Sequence, residues 1–294
     1  MTLFDRYVVV DWSASARPTT GRDSIWMSVL GDGEVPVLTN PPTRAAAAEA
    51  LGSLVDDAGE HRTLIAVDAS LGYPCGSAEW CRLTGEPPWW AWWASLARSI
   101  VDDEANRNNR FDVAADLNRR SGGPGPFWGR PRARDVPHLG ATKPKVFAVP
   151  EFRLAEMSLR RSGHRPSSCW QLLGAGSVGS QTLTVVPRLH DLLERSSHVE
   201  VWPFTTGLDA PELDPGATLI AETWPTAFEI DLSAHPIRDA AQVAGVTRQL
   251  RAADQAGTLR AWFSPEMAGA DRAKVEQEEG WVLAPTGTSG ANGR

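Results

Sequence analysis

Two apolar runs in this chain each end in an aspartate: Tyr7-Val8-Val9-Val10 leads into Asp11, and Thr63-Leu64-Ile65-Ala66-Val67 leads into Asp68. A short run without polar alternation reads as a strand covered on both faces, which points to a layered α/β architecture. A third run, Ala217 to Ala221, ends in the same way at Glu222. A carboxylate at the mouth of a buried strand is poorly placed for stability, because burial disfavours its charge and no basic residue adjoins it in the sequence. The ends of strands in α/β sheets are also where sites are generally built. Three hard oxygen donors so placed suit magnesium or manganese rather than zinc. Asp239 opens the amphipathic run DAAQVAGVTRQL, where a helix N-terminus would stabilise its charge and let it point back at the sheet, making it the fourth candidate ligand.

The remaining elements follow from periodicity and turn residues. Ser24 to Leu30 reads as a second strand, Gly31-Asp32-Gly33 as a tight turn, and Val35 to Leu38 as a third strand. Thr43 caps an alanine-rich helix that stops at Gly59. The order is therefore β, β, β, α, β, with acids closing the first and fourth strands. Further helices are expected over 150–161, 178–195, 237–256 and 270–279, with a short strand over 198–203. One domain spanning 1–285 is expected, followed by a disordered tail over 286–294 with the sequence TGTSGANGR.

Between about 106 and 150 the periodicity fades and Gly, Pro and Arg accumulate, as in SGGPGPFWGRPRARD. So long an irregular stretch reads as an insertion or lid. From Arg107 to Lys145 there are nine Lys or Arg and three Asp. This local excess matters because the whole chain carries 29 basic against 36 acidic residues, a net charge of −7 that offers no general attraction to nucleic acid. Arg130, Arg132, Lys143 and Lys145 are the candidate phosphate contacts. The competing reading is a solvated surface loop.

Three cysteines without paired spacing argue against a zinc site or a disulfide framework. Trp89, Trp90, Trp92 and Trp93 fall three and four apart on one helical face, which reads as a core or dimer-interface helix, with base stacking as the alternative. The apolar start is too short for a signal peptide and no run approaches a membrane span, so a cytoplasmic protein without membrane association is expected. The segment Gly174-Ala175-Gly176-Ser177-Val178-Gly179 fits GxGxxG, with Glu200 at the distance of a ribose-binding acid. The preceding PSSCWQLL has little strand character. A glycine-rich turn feeding a helix, with Gly174, Gly176 and Ser177 offering phosphate contacts, is therefore the better reading.

The segments YVVVDWSAS, LIAVDASLGYP, CWQLLGAGSVGSQTL, LIAETWPTAF, RDAAQV and EEGWVL resemble the uncharacterised ribonuclease H-like family catalogued as domain of unknown function 429. The resemblance runs from about Tyr7 to Leu283. It implies a ribonuclease H-like mixed sheet flanked by helices, acidic roles for Asp11, Asp68, Glu222 and Asp239, and the nuclease activity inferred for the family from its fold. Related enzymes often carry two acids in the last helix; here Gln242 stands where the second would fall.

The expected function is a Mg2+- or Mn2+-dependent phosphodiester hydrolase acting on nucleic acid or a phosphorylated small molecule. Two alternatives accompany it: a non-catalytic binding or scaffold protein, as a homo-oligomer, and a nucleotide-binding phosphotransferase using the glycine-rich turn.

Overall fold

The computed structural model describes residues 2–122, 125–174 and 176–285. Strand β1 (Arg6–Asp11) pairs antiparallel with β2 (Trp26–Leu30), and β2 pairs antiparallel with β3 (Val37–Thr39). Helix α1 (Arg44–Asp56) then carries the chain back so that β4 (Thr63–Asp68) lies parallel beside β1. As the sequence implied, the Thr43 side chain caps α1 by accepting from the Ala46 amide.

The middle of the chain supplies α2 (Ser77–Trp80), α3 (Pro88–Ser99), α4 (Arg110–Arg120), α5 (Leu154–Arg161) and α6 (Val178–Arg195). Strands β5 (Val199–Val201) and β6 (Thr218–Thr223) follow, with β6 parallel to β4 and β5 outside it. Helices α7 (Arg238–Gln255), α8 (Leu259–Trp262) and α9 (Gly269–Lys274) precede a wide helical turn over 275–279 and the two-residue strand β7 (Val282–Leu283), which pairs with the end of β6. The result is a seven-stranded mixed sheet in the order β3-β2-β1-β4-β6-β5, with β7 alongside β6 and helices on both faces.

Strand alternation divides the core into two. Val8, Val10, Ile65 and Val67 face α1, α3 and α6, whereas Tyr7, Val9, Leu64 and Ala66 face α7. Val8, Val9, Val10 and all of Leu64 to Val67 have no exposed surface, which explains why these runs show no polar alternation.

The tryptophan-rich helix belongs to the interior. Tyr73 stacks on Trp92 at 4.1 Å and on Trp170 at 4.9 Å, while Trp89 stacks on Phe204 at 4.9 Å. Trp89, Trp92 and Trp93 are buried, so these rings are not a platform for bases.

The irregular insertion expected over 106–150 is interrupted by one helix, while the described residues over 121–153 carry no helix or strand. Helix α4 lies within it and buries Phe111, Val113, Ala114 and Leu117 in the same core as Phe127, Trp128 and Leu139. Asn118 secures the following loop by donating to the Phe127 and His138 carbonyls and accepting from the Phe127 amide. A segment that contributes so much apolar surface to the core is not a detachable lid. The 286–294 tail lies outside the described residues, among which no helix is long and apolar enough to cross a membrane.

Candidate functional site

Asp11 and Asp68 are direct neighbours in the β1–β4 register, at the ends of adjacent parallel strands. By parity with Val9 and Ala66, both side chains project towards the α7 face. Asp239 sits in the first turn of α7, the positive end of an 18-residue helix. Its carboxylate accepts a 2.9 Å hydrogen bond from the Asp23 amide. Asp23 adopts φ +56°, a left-handed conformation that aspartate tolerates better than most residues, and it lines the same cavity as Asp11 and Asp239. Its place in the β1–β2 connection gave no strand-end signal.

Burial, then the charges of Asp68, Asp239 and Asp23, push the Asp11 carboxyl well above the usual carboxylate range. Burial, then Glu222 and Asp239, push Asp68 up to about 7. Among the described residues, neither aspartate has a basic partner offsetting these effects.

Glu222 has a different setting. It lies opposite Val67 rather than Asp68, so alternation turns it to the other face of the sheet. There the fully buried Arg153 holds it with two hydrogen bonds of 2.6 and 2.7 Å, and the Leu71 amide donates a third at 2.9 Å. Arg153 also binds Glu156 and the Glu279 carbonyl. Burial raises the Glu222 pKa while Arg153 opposes the rise. Glu222 is thus the acid of a buried ion cluster joining β6, α5 and the 275–279 turn, rather than a free ligand.

Two cavities open at this edge of the sheet. The larger, about 510 Å3, is lined by Asp11, Asp23, Asp239, Arg110, Ser177 and Gln181, among others. The smaller, about 230 Å3, is lined by Asp68, Glu222, Glu156, Arg165, Ser167 and Trp224, among others. Gly176 and Gln181 border both, and the Gln181 side chain donates to the Trp12 carbonyl.

The glycine-rich turn borders the cavities: Gly174, Gly176 and Ser177 line the larger one. Gly174 and Gly176 have φ of +105° and +71°, which favours glycine at both. A Cβ on Gly179 would strike the Cys169 carbonyl, so this glycine permits a close backbone approach. No strand leads into the turn over 164–174, and the dinucleotide-binding fingerprint therefore lacks its structural context.

The residues expected as phosphate contacts lie away from the two cavities. Arg130, Arg132, Lys143 and Lys145 line neither cavity. Arg130 is spent on Asp135 and on the Leu139 and Arg134 carbonyls, and Lys143 pairs with Glu151 at 2.6 Å. Arg132 and Lys145 are exposed on the surface. The cations at the cavities are Arg110 and Arg165. Arg110 was discoverable as the residue before the α4 pattern Phe111, Ala114, Ala115 and Asn118.

Among the described residues, no three His, Cys, Asp or Glu converge closely enough to hold one ion. The fit is to a two-carboxylate centre: Asp11 and Asp68 are register neighbours, partly buried and without a cationic partner among the described residues. Magnesium is commonly held by one or two carboxylates, with water and substrate completing its shell. A scan against protein-family models and searches of curated proteins and solved structures found no match to this chain.

Proposed function

We propose that this chain is a divalent-metal-dependent phosphodiester hydrolase with a ribonuclease H-like fold, belonging to the family its motifs resemble. One observation carries the reading: two partly buried carboxylates end adjacent central parallel strands, with no basic group among the described residues to balance them. The β3-β2-β1-β4-β6-β5 order, an antiparallel hairpin continued by parallel strands, supports the fold assignment.

Asp11 and Asp68 would hold the ion, with Mg2+ or Mn2+ matching their hard oxygens. When bound, such an ion would acidify a coordinated water and neutralise charge on a phosphoryl oxygen. Asp239 orients the Asp23 loop through the Asp23 amide. Arg110, lining the cavity that contains Asp11, is placed to stabilise charge developing on phosphate. Glu222 acts as a positioning residue, because its contact with the Leu71 amide anchors the loop that leaves Asp68.

Calorimetric titration with Mn2+ and hydrolysis of bis(p-nitrophenyl) phosphate test this directly. The native protein is expected to bind Mn2+ and cleave the ester. Asp11→Asn and Asp68→Asn, with folding verified by circular dichroism, are expected to lose both properties. Absence of binding at millimolar Mn2+ would overturn the proposal.

A second reading, a non-catalytic binding protein on the same fold, is favoured by the engagement of Glu222 with Arg153, which leaves fewer free acids at the site. It predicts a protein indifferent to Mn2+ and a stable oligomer in solution.

A further inference from the structure

The basic segment that suggested a nucleic-acid track is largely neutralised within the fold. Arg107 pairs with Asp103, Arg119 and Arg120 with Asp116, Arg134 with Asp112, Arg130 with Asp135, and Lys143 with Glu151. A polymer gains affinity by laying successive phosphates on accessible cations, whereas among the described residues the cations lining the two cavities are Arg110 and Arg165.

Arg110 differs from these residues. It retains only 8% of its surface, yet its side chain lines the larger cavity. No carboxylate lies within ion-pair distance of it among the described residues. Its Nε donates to the Ser180 hydroxyl at 2.9 Å and its Nη1 to Asn108 at 2.8 Å, while Nη2 has no hydrogen-bond partner among the described residues. Burial and the nearby Arg44 lower its pKa to about 10 against the opposing charge of Asp102, so it stays charged at neutral pH. A buried cation with no carboxylate in direct contact is costly, and the preceding turn brings a second attraction for negative charge to the same place. The N-terminus of α6 borders this cavity through Ser177, Ser180 and Gln181; Ser177 makes no side-chain cap, while the Val178 and Gly179 amides already donate to the Gly176 and Gln171 carbonyls, leaving the helix dipole as the attraction.

We infer that the site takes a single small phosphate ester of nucleotide size, its phosphate held between Arg110 and the N-terminus of α6, rather than a nucleic-acid polymer. The inference rests on the hydrolase reading for its chemistry. The larger cavity, about 510 Å3, falls in the range typical of small-molecule sites. Asp11, Asp23 and Asp239 line the same space, so a phosphate enters favourably only when their charge is offset, by a divalent ion or by substitution.

The test uses adenosine 5′-monophosphate and a 20-nucleotide single strand as calorimetric probes. With Mg2+ present, the native protein is expected to bind the monophosphate, and Arg110→Gln to bind it at least tenfold more weakly. Ser177→Asp removes no cap bond and sets a negative charge at the phosphate position; it is expected to weaken binding similarly and serves if Arg110→Gln does not fold. In chelator, Asp11→Asn is expected to bind the monophosphate without metal and to lose it when Arg110→Gln is added. This separates the subsite from the hydrolase reading, which fails on Mn2+ binding and cleavage instead. The single strand is expected to bind no tighter than the monophosphate, and to weaken about threefold from 50 to 200 mM salt, as for one phosphate contact. Native affinity for the monophosphate in Arg110→Gln or Ser177→Asp would overturn the inference. So would tenfold tighter binding of the strand with a salt loss of about 50-fold, the mark of roughly four phosphate contacts.

Discussion

Replacing Asp68 by asparagine keeps the side chain's shape and removes its charge. The folded protein holds the Asp68 proton up to about pH 7, against 3.8 for an ordinary aspartate, because burial and the acids Glu222 and Asp239 oppose ionisation. Folding therefore takes up a proton between these values, and stability of the metal-free protein falls as pH rises from about 4 through about 7. Each pH unit of displacement corresponds to about 1.4 kcal/mol, setting a ceiling of about 4 kcal/mol for the shift at Asp68. The side chain retains partial solvent access, so about 2 kcal/mol is expected at pH 8. For a chain of this size, that corresponds to an increase in Tm of about 4 °C for Asp68→Asn. The assay is thermal unfolding in chelator at pH 8 and at pH 4.5, with the difference shrinking towards zero at the lower pH. Saturating Mn2+ should reverse the order, raising native stability by about 3 kcal/mol at a hundredfold excess over Kd while leaving the variant unchanged. An asparagine variant less stable than the native protein at pH 8 in chelator, or a difference independent of pH, would refute the account of this pair.

Other substitutions probe the surrounding structure. Glu222→Gln leaves the fully buried Arg153 short of a counter-charge and should cost about 3 kcal/mol in urea unfolding. Trp170→Ala, which empties the space beside Tyr73 and Phe127, should cost about 4 kcal/mol in the same assay. Asp254 accepts hydrogen bonds from the Leu3 and Phe4 amides and the Tyr7 hydroxyl; Asp254→Ala should lower stability by about 3 kcal/mol and increase hydrogen exchange at the N-terminus of β1. Arg132→Ala and Lys145→Ala, both on exposed surface, should leave Tm and Mn2+-dependent hydrolysis unchanged.

The sequence alone determined the strands that form the floor of the site, because a strand covered on both faces must be apolar at every position. Tyr7 to Val10 and Thr63 to Val67 meet that demand, which made Asp11 and Asp68 visible as strand-end acids. Periodicity and capping likewise located α1, α6 and α7. Helix α4 was obscured because charged residues surround its Phe111, Ala114 and Leu117 positions, and because the glycine- and proline-rich stretch after it dominated the local composition. Tertiary structure decided which acids meet. Glu222 follows its strand as plainly as Asp68 does, but an offset of one residue in the β4–β6 register turns it to the opposite face, where Arg153, 69 residues earlier, claims it. The same dependence removed Arg130 and Lys143 from the site and brought in Arg110 and Asp23. Hydrophobic period is a local property readable from neighbouring residues, whereas the pairing of charges depends on which distant segments packing brings together.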